Sequence, residues 1–196
     1  MSVRVVGPRD AVSPDELVIS TVSKSDNWSR GLSPFFLGPI PLYDGAIAKE
    51  SVNMENAWQF AKCYPWHVTH DGKPTVSYFE WAKAGWQDSH AHRYPFGKGR
   101  KPEFLWWAGE KLDYVTARKK VYIPLYARAV VNTRAFRNLL EIYKKNGNVT
   151  LWDFDGYDHI SLGMTLKEVI NDPNKKCGHA FVLAHLLESM NGSQKI

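Results

Sequence analysis

At 196 residues, with 44% hydrophobic and 23% charged side chains, the chain is long enough to bury a sizeable core, and its composition excludes intrinsic disorder. Its 25 Lys and Arg against 20 Asp and Glu leave a net charge of +5, which suits an anionic partner such as nucleic acid, a nucleotide or an acidic membrane surface, or simply a basic soluble protein. The two cysteines, Cys63 and Cys177, form no CxxC pair and so exclude a zinc ribbon, and no apolar run approaches the roughly 18 residues of a membrane span.

The elements follow in chain order. VRVV (3–6) and LVIS (17–20) read as short strands. MSVRVVGPRD lacks the apolar core of a signal peptide, so a reducing, cytoplasmic setting is expected. Residues 35–45 are extended and turn-rich, with Asp44-Gly45 as a turn, and Pro39 and Pro41 confine them to an edge or a loop. A helix is expected over 54–64, capped by Asn53 and stopped by Pro65. Ser77 and Glu80 form a capping-box pattern for a helix over 78–88. Residues 89–103 are a long basic loop, and 104–131 read as helical, interrupted near Pro124. Asn132 or Thr133 caps a further helix that Gly147 ends. NVTLWDF (148–154) is a strand, DGYDHISLG a polar loop, and Thr165 with Glu168 a second capping box. HAFVLAHLLESM is a terminal amphipathic helix with Gly192 beyond it. The sum is an α+β, mainly helical single domain over 32–190 with a few short strands, an N-terminal extension (1–31) packed on it and a tail (191–196).

Four clusters are candidates for chemistry. Glu55, Gln59 and Lys62 fall on one face of the expected helix, either as a solvated ladder or as the wall of a polar pocket. Asp153, Asp155, Asp158 and His159 crowd a strand-end loop with Tyr157, a place for acid–base work or merely a turn. No Glu closes a twelve-residue EF-hand there. Arg93, Lys98, Arg100 and Lys101 interleave with Tyr94 and Phe96, a pattern suited to phosphates and stacked bases, or a solvated loop. His67, His70, His90 and His92, with Cys63, are a candidate zinc site, but their spacing matches no metal-ligand signature, so no metal and no cofactor is expected.

The order of these pieces resembles the NADAR superfamily, named for NAD and ADP-ribose, over roughly residues 32–190. The matching pieces are SPFFLGPIPLYDG, then Glu55-x-x-x-Gln59-x-x-Lys62, WWAGEKLDYVTARKKVYIPLYARAV, LWDFDGYDH and GHAFVLAHLLESM. The chain departs from the family at Ser33-Pro34-Phe35, at Asn56 where His is common, at Asp158 and Gly163, and at Gly178-His179-Ala180. A divergent phage or phage-defence branch would account for both likeness and departure. The resemblance implies a NADAR-like fold and a water-dependent N-glycosidase acting on a nucleotide-like substrate. It points foremost to a nucleobase glycosylase on modified or ADP-ribosylated DNA, with DNA favoured over RNA. A riboside-phosphate N-glycosidase and a non-catalytic nucleotide or nucleic-acid binder are its alternatives. It implies Glu55 as the catalytic carboxylate, with Asp153 or Asp155 as a second. Lys62 would hold a phosphate or a carbonyl, Arg118 would pair with phosphate, and Trp107 or Tyr157 would stack on the base. Asn56, Gln59, Asp158 and His159 would complete the substrate contacts. Arg93, Lys98, Arg100 and Lys101 would follow the nucleic-acid backbone.

Overall fold

The structure, a computed structural model, describes residues 2–190; the expected tail over 191–196 and the helix stop at Gly192 lie outside the described residues. Helix and strand both contribute. The chain runs through β1 (Ser2–Val6), β2 (Val18–Ser20), a 3-10 turn (Trp28–Leu32), β3 (Ile40–Pro41), β4 (Glu50–Ser51), α1 (Met54–Gln59), β5 (Lys62–Cys63) and a 3-10 turn (Pro65–His67). Next come α2 (Val76–Gln87), β6 (Phe104–Trp107), β7 (Glu110–Leu112), α3 (Tyr114–Ala117), a π turn (Arg118–Tyr122) and α4 (Ile123–Val130). It ends with α5 (Arg134–Asn146), β8 (Asn148–Trp152), α6 (Leu166–Asn171) and α7 (His179–Met190). The chain sorts into two compact units: one joins the residues up to Phe36 to those from Tyr126 onward, and the other is Leu37–Leu125. Among the described residues no helix is long and apolar enough to cross a membrane.

In the first unit β8 is the middle strand of a parallel sheet, β1-β8-β2, with Val3 opposite Val149 and Val5 opposite Leu151. Residues 1–31 therefore supply both outer strands. Val149, Thr150 and Leu151 are all buried, the run expected of a parallel strand covered on both faces. α7 packs on β1 and β8, burying Ala180, Phe181, Leu183, Ala184 and Leu187. α5 is capped by the Thr133 hydroxyl, which accepts from the Phe136 N–H, and ends at Gly147 with φ 75°. The expected capping box is formed at α6: Thr165 accepts from the Glu168 N–H, and the Glu168 carboxylate accepts from the Thr165 N–H.

In the second unit a core of Phe60, Cys63, Tyr78, Ala82, Trp86, Leu105 and Leu112 lies between α2 and the antiparallel sheet β5-β6-β7. Three expected boundaries are corrected here. The helix predicted over 54–64 stops at Gln59, because Lys62 and Cys63 pair as a strand with Leu105 and Phe104. The helix predicted from Ser77 begins at Val76, with Thr75 as the cap accepting from the Tyr78 N–H, so Ser77 and Glu80 form no capping box. The helix predicted over 104–131 is a hairpin followed by a helix. Phe104–Trp107 is rich in aromatics, and its residues 105–107 pair with Glu110–Leu112 across Ala108 (φ 51°) and Gly109 (φ 83°), two left-handed residues that suit a two-residue hairpin turn. The break expected at Pro124 is handled by the π turn just before it: Ile123 N–H bonds to the Arg118 carbonyl, five residues back, which loosens the turn that the proline ring would otherwise crowd.

Candidate functional site

Asn53 caps α1 through a 2.8 Å bond from the Asn56 N–H, which starts the helix one residue before Glu55. Glu55 and Gln59 then stand one turn apart, and Gln59 Nε2 donates to Glu55 Oε1 at 2.9 Å. Lys62 reaches the same line from β5, its Nζ donating to Gln59 Oε1 at 2.7 Å and lying 5.2 Å from the Trp58 ring centre. Bonds at both ends fix the Gln59 amide orientation. Glu55 is 6% exposed and Gln59 8%, so the solvated-ladder alternative is set aside. A buried carboxylate, a buried amide and a half-buried ammonium group are held in one chain of hydrogen bonds.

Other expected contacts of this unit have their own surroundings. Arg118, in the π turn, is 1% exposed and its guanidinium lies 4.4 Å from the Tyr114 ring centre. Trp107 packs edge-on against Tyr43 at 4.9 Å. Asn56, expected at the substrate, spends its amide on its own unit: Nδ2 donates to the carbonyls of Asp88 and His90, and Oδ1 accepts from the His92 N–H. It pins the entry to the basic loop. In that loop Lys98, Arg100 and Lys101 are exposed, and Arg93 lies over Tyr94 at 5.4 Å.

The acidic loop belongs to the other unit, where the three aspartates have different surroundings. Asp155 pairs with Lys176 at 2.7 Å. Asp158 is bound by Arg4 through Nε and Nη2 and accepts from the Ser161 N–H and hydroxyl. Asp153 is 4% exposed, and its Oδ2 lies 3.3 Å from His179 Nδ1 without a hydrogen-bond partner among the described residues. His179 Nε2 donates to the Thr21 carbonyl at 2.8 Å, which holds the ring in place. Asp153 thus keeps a buried acceptor oxygen beside the first residue of α7, where the helix dipole favours negative charge. Tyr157 and His159 both lie against Phe181, at 4.8 and 5.5 Å, and burial holds the His159 imidazole below its ordinary pKa, hence neutral. Against Phe181 the Tyr157 ring packs on α7.

Gly178 makes room for this aspartate: a Cβ there would lie 2.3 Å from Asp153 Oδ2. Gly178→Ala is expected to cost about 2 kcal/mol in thermal unfolding, and markedly less in an Asp153→Ala background, because the clashing oxygen is then gone. Equal costs in both backgrounds would contradict this placement.

Arg4 joins the acidic loop to the N-terminal segment. Its Nη1 donates to both Glu16 oxygens, its Nη2 to the Ala11 carbonyl, and Glu16 also accepts from the Thr150 hydroxyl. Burial raises the Asp158 carboxyl, but the bonds from Arg4 and Ser161 outweigh it and bring the group from 3.8 to about 2. A lowered folded-state pKa means that this stabilisation is complete above pH ~4 and is lost as pH falls towards ~2. Arg4→Met is therefore expected to cost about 2 kcal/mol near neutrality, with the Asp158 side chain only 11% exposed, and much less at pH ~2. Chemical denaturation at both pH values checks this; a loss that does not shrink in acid would refute it.

Arg4 and His179 were not among the expected site residues. The signal for Arg4 is a lone charge inside the apolar run VRVV, and for His179 a polar residue opening an otherwise apolar helix. Comparison with protein-family models, curated proteins and solved structures finds no match to this chain.

Proposed function

We propose that the chain hydrolyses an N-glycosidic bond in a nucleotide-like substrate, as a nucleobase glycosylase acting on modified or ADP-ribosylated DNA. The observation that carries this reading is the hydrogen-bonded chain Glu55–Gln59–Lys62, whose carboxylate and amide are buried. Breaking the bond between C1′ and the base nitrogen leaves positive charge on the sugar. A carboxylate at that position stabilises the oxocarbenium-like transition state and takes a proton from the attacking water. The water oxygen bonds to C1′, and the base departs with the bonding pair and accepts a proton. Glu55 has the charge for the first task, and burial strengthens its field. The Gln59 amide holds Glu55 in one rotamer, and Lys62 supplies the cation for a phosphate. The positive net charge and the 89–103 loop favour a polymeric anion. A base in a duplex must leave the stack to reach such a site.

The test incubates wild type and Glu55→Gln with DNA bearing natural or modified bases and with ADP-ribosylated DNA, and follows released base or ADP-ribose by mass spectrometry. Release by wild type alone is expected. Tight binding without release by wild type would overturn the hydrolase reading in favour of a binding module.

A further inference from the structure

Tyr64 and Trp66 flank Pro65 at the 3-10 turn after β5, and their rings stack at 5.3 Å with an 11° angle between planes. Tyr64 is 4% exposed, whereas Trp66 is 48% exposed, so one face of the indole is supported from below and much of the ring meets solvent. Phe96 meets Trp66 edge-on at 4.8 Å and stacks on Trp81 at 5.0 Å and 20°. His67, buried among these rings, lies 4.8 Å from Trp81, and burial keeps its imidazole below the ordinary pKa and neutral. Isolated exposed apolar side chains are ordinary on protein surfaces. Here, however, an open indole is locked in a stack of rings.

Charge marks what this face fits. Phe96 belongs to the loop over residues 89–102, which contains Arg93, Lys98, Arg100 and Lys101 and no carboxylate. Lys98, Arg100 and Lys101 are exposed and form no ion pair among the described residues. Lys98 follows Phe96 by two residues, so their Cα atoms are at most about 7 Å apart. A stacking ring packed against Phe96, with unneutralised cations two to five residues further along the same loop, is complementary to a base and its neighbouring phosphates. Bases in a duplex keep their faces covered, and only unpaired bases can lie on an indole.

We propose that the face built by Trp66 and Phe96, together with Lys98, Arg100 and Lys101, binds single-stranded nucleic acid. This deepens the proposed function and rests on it only for the class of partner, since stacking on Trp66 needs no hydrolysis at Glu55.

The test is anisotropy of labelled oligothymidylate, titrated with the full chain at about 50 mM and about 200 mM salt. Trp66→Ala is expected to weaken binding about tenfold or more. Lys98→Glu with Arg100→Glu is expected to weaken it and to flatten its salt dependence, and the matching duplex should bind less well than the single strand. Both variants alter exposed side chains, and circular dichroism verifies their fold. Wild-type affinity in either variant, or equal affinity for duplex, would overturn the proposal. So would a concentration-dependent dimer lost in Trp66→Ala without change in oligonucleotide affinity, which would assign the face to a second copy of the chain. Anisotropy reads binding of oligothymidylate and not base release, so a protein that binds it through Trp66 but releases no base from any DNA refutes only the hydrolase. One that releases base but ignores Trp66→Ala refutes only this surface.

Discussion

Glu55→Gln is expected, in the proposed reaction, to lower kcat/KM for base release by about 10²–10⁴-fold while leaving stability within about 1 kcal/mol. The two effects separate because the substitution is nearly isosteric. The amide oxygen of the new side chain can still accept from Gln59 Nε2, the 2.9 Å bond that Glu55 Oε1 makes now. Packing at a position only 6% exposed is also kept. What disappears is the negative charge, which interacts more strongly with the transition state than with the neutral sugar of the ground state. A fall of that size corresponds to about 3–5 kcal/mol in the barrier. Gln59→Leu makes a useful contrast. It removes the amide that donates to Glu55 and accepts from Lys62, at a position only 8% exposed, so it should reduce both stability and rate. Kinetics on the released base together with thermal unfolding decide the matter. Wild-type turnover in Glu55→Gln would remove Glu55 from the reaction.

Local signals in the chain foretell local structure well. Thr133, Gly147 and the Thr165–Glu168 box mark helix ends through bonds that close within four residues, and each lies where those bonds require. Pairings distant in sequence were hidden. α1 ends early because Lys62 and Cys63 find partners 41 to 43 positions away, at Phe104 and Leu105. Ser2–Val6 lies beside Asn148–Trp152 with nothing in either segment to name the other. The hairpin over Phe104–Leu112 was obscured because its turn uses Ala108 at φ 51°, where glycine or asparagine would have announced it.

The candidate site divides along the same line. Glu55 and Gln59 were legible because one helical turn joins them, whereas Lys62 reaches the Gln59 amide only by leaving the helix for β5. Three aspartates within six positions look equivalent in sequence. Arg4, Lys176 and His179 distinguish them, from positions at least 21 residues away.

Gly156→Ala is expected to cost about 3 kcal/mol and to lower the unfolding midpoint of the chain by roughly 6–12 °C. A Cβ at Gly156 would lie 2.2 Å from the Val6 carbonyl oxygen, and one at Gly7 would lie 2.0 Å from the Gly156 carbonyl oxygen. Both obstacles are backbone, so no side chain can swing aside. The Val6 carbonyl is also the acceptor for the Asp153 N–H at 3.0 Å, so a methyl at Gly156 presses on the bond that places the acidic loop beyond β8. Losing that bond adds about 1 kcal/mol to the cost of overpacking. Gly45→Ala is the control of opposite kind: nothing lies within 4 Å of its Cβ position, and only its φ of 80° opposes alanine, at about 1 kcal/mol. Because Gly7 and Gly156 hold apart the same two backbones, the double variant should cost less than the two single ones together, by about 1 kcal/mol. Full additivity would mean that the two glycines relieve separate contacts. Wild-type stability in Gly156→Ala would mean that β1 and the acidic loop do not cross at this distance.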